Sequence, residues 1–128
     1  MAPLPLKLTL LPELFAVCRL PAGAELPAWA TAGVFYAVTR TAHELSIVCA
    51  QEQVPAGFAC QPGWRCLQVA GPLDFALTGV LASLAQPLAA AGISIFAIST
   101  YDTDYLLIQD KALDAARAAL HSAGHILA

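Results

Sequence analysis

With 128 residues, 59% hydrophobic and 12% charged, the chain can build one compact core or two very small ones, with apolar surface left for a second copy to cover. The net charge is -3 and the six Lys and Arg are scattered, which leaves no basic footprint for nucleic acid. The apolar runs stop well short of the ~20 residues of a membrane span.

The N-terminal MAPLPLKLTLLPELF has no basic region and two early prolines. It is not read as a signal peptide, and a cytoplasmic location is expected. Leu6–Leu11 (LKLTLL) alternates loosely and predicts a strand. Glu13–Leu20 (ELFAVCRL), set between Pro12 and Pro21, predicts another. Pro27–Ala32 reads as one short helix, with Pro27 suited to a first helical position and Gly33 to a stop. Val34–Arg40 (VFYAVTR) and Glu44–Ala50 (ELSIVCA) are rich in β-branched and aromatic residues. The polar link Thr41-Ala42-His43 joins them as a hairpin. Gln51–Gly63 carries Pro55, Gly57, Pro62 and Gly63 and reads as a loop and a boundary.

Trp64–Ala70 (WRCLQVA) predicts the next strand, broken by Gly71-Pro72. Ala76–Ala91 places Val80, Leu81, Leu84, Leu88 and Ala91 on one helical face. Pro87 inside it predicts a kink or a looser turn, and Gly92 a stop. Ile93–Ser99 and Tyr105–Gln109 read as strands. A helix is predicted from Asp110 to Gly124, with Leu113, Ala116 and Leu120 on one face. His125–Ala128 can form a last short strand. The second half thus reads β-α-β-β-α-(β) and the first β-β-α-β-β, two small modules without a visible sequence repeat. The expected division is 1–60 and 61–128.

Cys18, Cys49, Cys60 and Cys66 make no C-x-x-C pair. Reduced thiols, some of them buried, are expected; a zinc site or a Cys60–Cys66 disulfide is the alternative. His121 and His125 are four apart, but Gly124 falls between them, so they read as exposed C-terminal histidines. His43 sits in a hairpin turn. The motifs of nucleotide-phosphate, serine-hydrolase and zinc-protease sites do not occur, and no histidine lies beside a candidate nucleophile. Trp29 and Trp64 read as core or interface residues. Neither metal nor cofactor is expected, and the chain is not read as an enzyme.

The stretch GPLDFALTGVLASLAQPLAAAGISIFAISTYDTDYLLI resembles the ACT domain, a small βαββαβ ligand-binding module. The likeness rests on a Thr-Gly-Val-Leu helix start followed by AGISIFAISTYDTD. It extends to tandem-ACT proteins related to animal cytosolic arginine sensors and to bacterial ACT proteins of unassigned role. It is strong over Cys66–Gly124 and weaker over Leu6–Val54, where it rests on VFYAVTRTAHELSIVCA. The resemblance implies an α+β fold of two ferredoxin-like (ACT-like) modules. Each would have an antiparallel sheet with helices on one face; residues 1–60 would be a degenerate module and 61–128 the ACT domain proper.

Physical chemistry supplies roles for the quoted residues. Unpaired amides at the helix start, around Thr78, Gly79 and Val80, suit the carboxylate of an amino acid. Gly79 lets a ligand approach the backbone; its alternative role is tight helix–sheet packing. Asp104, where one strand turns into the next, can pair with an ammonium group. The resemblance carries pocket roles onto Ser99, Thr100, Tyr101 and Asp104, with Tyr101 covering the ligand. The alternative is an ordinary hairpin turn whose Asp, Thr and Ser bond their own backbone; Asp102 reads as solvated.

Arginine sensors of this family carry an acid where Leu77 stands here. That substitution speaks against a cationic ligand side chain, unless Asp74 folds inward to replace the acid. Leu73, Phe75 and Leu77 suit a neutral or apolar one. The expected function is a non-catalytic amino-acid sensor, its ligand held at an ACT–ACT or subunit interface. The expected partners are a second copy in a homodimer and, in addition, a separate regulated protein. A structural or protein-interaction module with no small-molecule ligand is the alternative.

Overall fold

Period-two alternation, β-branched residues and short polar breaks give strands, and they do so here through most of the chain. The computed structural model describes residues 5–73 and 78–128. Among the described residues there are eight strands: β1 (Lys7–Leu10), β2 (Phe15–Leu20), β3 (Ala37–Arg40), β4 (Leu45–Ala50), β5 (Cys60–Val69), β6 (Phe96–Ser99), β7 (Asp104–Gln109) and β8 (Ile126–Leu127). The two α-helices are α1 (Val80–Ala90) and α2 (Leu113–Ser122). The class is α+β, and all but one of the strand pairings with a defined direction are antiparallel.

Contacts divide the chain into two units. The first takes the N-terminal residues as far as Pro12 together with Arg65–Ala128; the second is Glu13–Trp64. A cut at residue 60 would leave the first strand with the N-terminal half. Instead β1 runs antiparallel to the end of β5, with Leu8 opposite Val69, and parallel to β8, with Leu8 opposite Leu127. Its partners are therefore far along the chain.

In the first unit, β7 pairs with both β5 and β6. One core unites Leu8 of β1, Leu67 and Val69 of β5, Leu84 and Leu88 of α1, Leu106 and Ile108 of β7, and Ala116 and Leu120 of α2. Both helices thus cover one face of these strands. Helix α1 buries Val80, Leu84 and Leu88. Leu81 and Ala91, expected on the same face, are exposed. Among the described residues the helix starts at Val80, and the predicted start at Ala76 lies outside them. It ends as predicted before Gly92: Ile93 N–H donates to Leu88 O at 2.9 Å across a left-handed Gly92.

In the second unit the strand order is β3-β4-β2-β5. The predicted β3–β4 hairpin forms, closed by Thr41, whose Oγ1 accepts from His43 N–H and Glu44 N–H. The short helix expected at Pro27 is a 3-10 turn, Ala28–Thr31; four residues are too few to settle into α geometry. The stretch read as a loop up to Gly63 already holds the start of β5. Pro62 and Gly63 sit where the β2–β5 register shifts, so they form a bulge inside the strand rather than its boundary. Gly63 N–H donates to Gln51 Oε1 at 2.8 Å.

Candidate functional site

The polar run after β6 sorts into two groups. Thr100 and Thr103 build the turn. Thr100 N–H and its hydroxyl both donate to Thr103 O, at 2.8 and 3.0 Å, and Thr103 N–H returns to Thr100 Oγ1 at 3.3 Å. Thr103 is only 5% exposed, and its hydroxyl donates to Val69 O at 2.7 Å, fastening the turn to β5. The turn interpretation therefore holds for these two residues.

Ser99 and Asp104 are the last register pair of the β6–β7 hairpin. Ser99 Oγ donates to Asp104 Oδ1 at 2.7 Å. Asp104 is half-buried, and its carboxylate has no cationic partner among the described residues. Tyr101, at the tip of the turn, is 80% exposed, and Asp102 is exposed as expected.

The loop leading from β5 toward α1 is fastened to the same turn. Leu73 N–H donates to Asp102 O at 2.6 Å. A Cβ on Gly71 would come within 3.0 Å of both Asp102 O and Thr103 Cβ, so only glycine lets the two segments lie this close. Asp74 and Leu77 lie outside the described residues. Thr78 and Gly79 are exposed, and Gly79 adopts a left-handed φ of 78° as the residue capping α1. No side chain caps this helix start, and its first turn contains no acid. Val80 is buried, so what α1 offers at this end is backbone N–H.

A residue expected at the surface holds α1 in position. His121 is exposed, but His125 is only 5% exposed. Leu6 N–H donates to His125 Nδ1 at 3.1 Å, which makes Nδ1 an acceptor and puts the ring proton on Nε2. Nε2 lies 3.0 Å from Ser83 O. In an α-helix that carbonyl would receive the N–H of residue 87, and here residue 87 is proline, which has none. His125 therefore supplies the hydrogen bond that Pro87 removes, and ties α1 to the start of β1. The spacing Ser83–Pro87 was the available sequence signal.

No group of three or more His, Cys, Asp or Glu suited to a metal occurs among the described residues. No described helix is long and apolar enough to cross a membrane.

Comparison with known proteins identifies the family. The family model of the ACT domain matches residues 59–122, half of the chain. The chain belongs to the ACT domain family. A second family model, for an N-terminal domain, matches residues 13–57, close to the bounds of the second unit. A crystal structure of an Agrobacterium tumefaciens protein is 41% identical, with a TM-score of 0.94, over 99% of this ACT-domain chain and 94% of that one. The human cytosolic arginine sensor for mTORC1 subunit 1 is 41% identical over 51 residues, 39% of this chain. That segment is 16% of the sensor's length. The regulatory subunit of aspartate kinase from Thermus flavus shares the fold, with a TM-score of 0.62 at 15% identity over 91% of this chain and 95% of that one. These neighbours share the chain's α+β fold. The helices expected on one face of both modules occur as α-helices only in the first unit, because the second has nothing longer than the 3-10 turns Ala28–Thr31 and Gln51–Gln53.

Proposed function

We propose that this ACT-domain protein is a non-catalytic regulator that binds a free amino acid. The ligand carboxylate would take the backbone amides at Thr78, Gly79 and Val80, where N–H groups and the helix dipole favour an anion. The ligand ammonium would pair with Asp104, held in place by Ser99. Thr100 shapes the rim and Tyr101 closes over it. With Leu77 standing where an acid would answer arginine, the ligand side chain would be neutral or apolar. The observation that carries this reading is Asp104 itself: a half-buried acid, fixed by one hydroxyl, with no cation to answer it among the described residues. The arginine sensor and the aspartate kinase regulatory subunit support an amino-acid-linked role by likeness.

A homodimer in the cytoplasm, acting on a separate protein, completes the reading. Ligand contacts that differ between two arrangements of the dimer would shift their populations and so carry the signal. One observation favours the ligand-free interaction module instead: Val34 is 96% exposed and Tyr36 and Val38 are also exposed, at alternate positions into the free edge strand β3.

A thermal-shift screen against the twenty amino acids at millimolar concentration separates the two. The sensor reading expects one amino acid or a related group to raise Tm by mass action, and Asp104→Ala to abolish the rise. No response to any of the twenty would leave the interaction module.

A further inference from the structure

Three of the four thiols gather in the second unit, on the same face of its strands. Cys18 of β2 and Cys49 of β4 are buried in its core, and Cys60 at the start of β5 packs against them half-buried. Cys18 and Cys60 are direct register partners. Arg19 N–H donates to Ala59 O at 3.0 Å, which makes Cys18 and Cys60 a non-hydrogen-bonded antiparallel pair. In such pairs side chains are closest, with Cα atoms about 4.5 Å apart, inside the roughly 4.4–6.8 Å that a disulfide spans.

The other pairings are excluded by the same geometry. Cys49 lies opposite Ala16, diagonal to Cys18, where Cα atoms are about 7–8 Å apart. Cys49 and Cys60 flank β2 from opposite sides, two strand spacings or roughly 9–10 Å apart. Cys60 and Cys66 follow each other along one strand, roughly 15–20 Å apart, which rules out the disulfide considered from sequence.

We propose that Cys18 and Cys60 form a reversible dithiol–disulfide pair, a modification site closed by hydroperoxides. The more exposed thiol, Cys60, attacks the distal peroxide oxygen. The O–O bond breaks, an alcohol or water leaves, and Cys60 becomes a sulfenic acid. Cys18 sulfur then displaces that hydroxyl, and its proton leaves with the hydroxide as water. Two thiols lose two electrons and the peroxide gains two. Burial first, then the neighbouring Cys60 and Cys49, push the Cys18 thiol up to about 12, so the second step is the slow one. The closed bond would staple β2 to the start of β5, next to the Pro62-Gly63 bulge.

The test is peptide mapping of the whole chain after hydrogen peroxide at neutral pH, with free thiols alkylated on quenching. The expected result is loss of two hydrogens in mass and one link between the Cys18 and Cys60 peptides, reversed by dithiothreitol. Cys49→Ala should keep the link and Cys60→Ser should abolish it. Sulfinic acid at Cys60 with Cys18 still alkylatable, any other pairing, or the same mixture of pairings in buffer as in urea would overturn the proposal.

Discussion

The two units solve the same packing problem with different material. The first lays two α-helices over its strands and fills the space with leucine, isoleucine and valine. The second has only 3-10 turns over a core of Ala16, Cys18, Leu20, Ala30, Leu45, Ile47 and Cys49. Its cover is a Trp29–Phe58 edge-to-face pair with centroids 5.1 Å apart. Most of the exposed large apolar residues, including Leu14, Leu26, Val34, Tyr36, Val38 and Phe58, also belong to this second unit. The difference teaches a division of labour. The first unit holds the candidate site, and the second carries most of the surplus apolar surface and three of the four thiols.

Truncating a fully buried leucine in each unit strikes this contrast hardest. Leu84→Ala leaves a cavity walled by two helices that cannot close it, and should cost about 3–5 kcal/mol; Leu45→Ala, under a 3-10 turn free to settle, should cost nearer 2–3 kcal/mol. Denaturant unfolding of both variants measures the gap, and equal losses would erase the contrast. The two hairpins sharpen it next. Thr103→Val strands a buried Val69 carbonyl and should cost about 1–3 kcal/mol, whereas Thr41→Val, in an exposed turn, should cost under about 1 kcal/mol.

The His125 clasp predicts a coupling. His125→Ala should destabilise the chain by about 1–3 kcal/mol. In a Pro87→Ala background the loss should shrink by about 1 kcal/mol, because the backbone N–H restored at that position can reach Ser83 O. A double-mutant cycle with no coupling would separate the two residues.

A separate effect is alkaline. Cys18 ordinarily titrates at 9.0 and is pushed up to about 12, so the folded chain holds this proton more tightly than the unfolded one. The stability it contributes is fully present below pH 9 and lost as pH rises toward 12. Cys18→Ala should flatten that part of the stability curve.

Local pattern made much of this fold legible. The β3–β4 hairpin, both helices and their glycine stops follow from residue types within a few positions of one another. What stayed hidden depends on distant partners. Nothing local in LKLTLL says that Leu8 will face Val69 and Leu127. Pro62-Gly63 looks the same in sequence whether it ends a strand or bulges one. At the site, the run Ser99–Asp104 announced itself, but which hydroxyls the turn would consume depended on Val69 of a distant strand.

The central claim is that the amides at the start of α1 and the Asp104 carboxylate serve one ligand. Amide chemical-shift mapping of isotope-labelled protein, titrated with each amino acid in turn, tests it most directly. The account predicts that one amino acid perturbs Thr78–Val80 and Ser99–Asp104 together, and that Asp104→Ala removes both sets of shifts. Saturable shifts confined to other residues, or none with any amino acid, would contradict it.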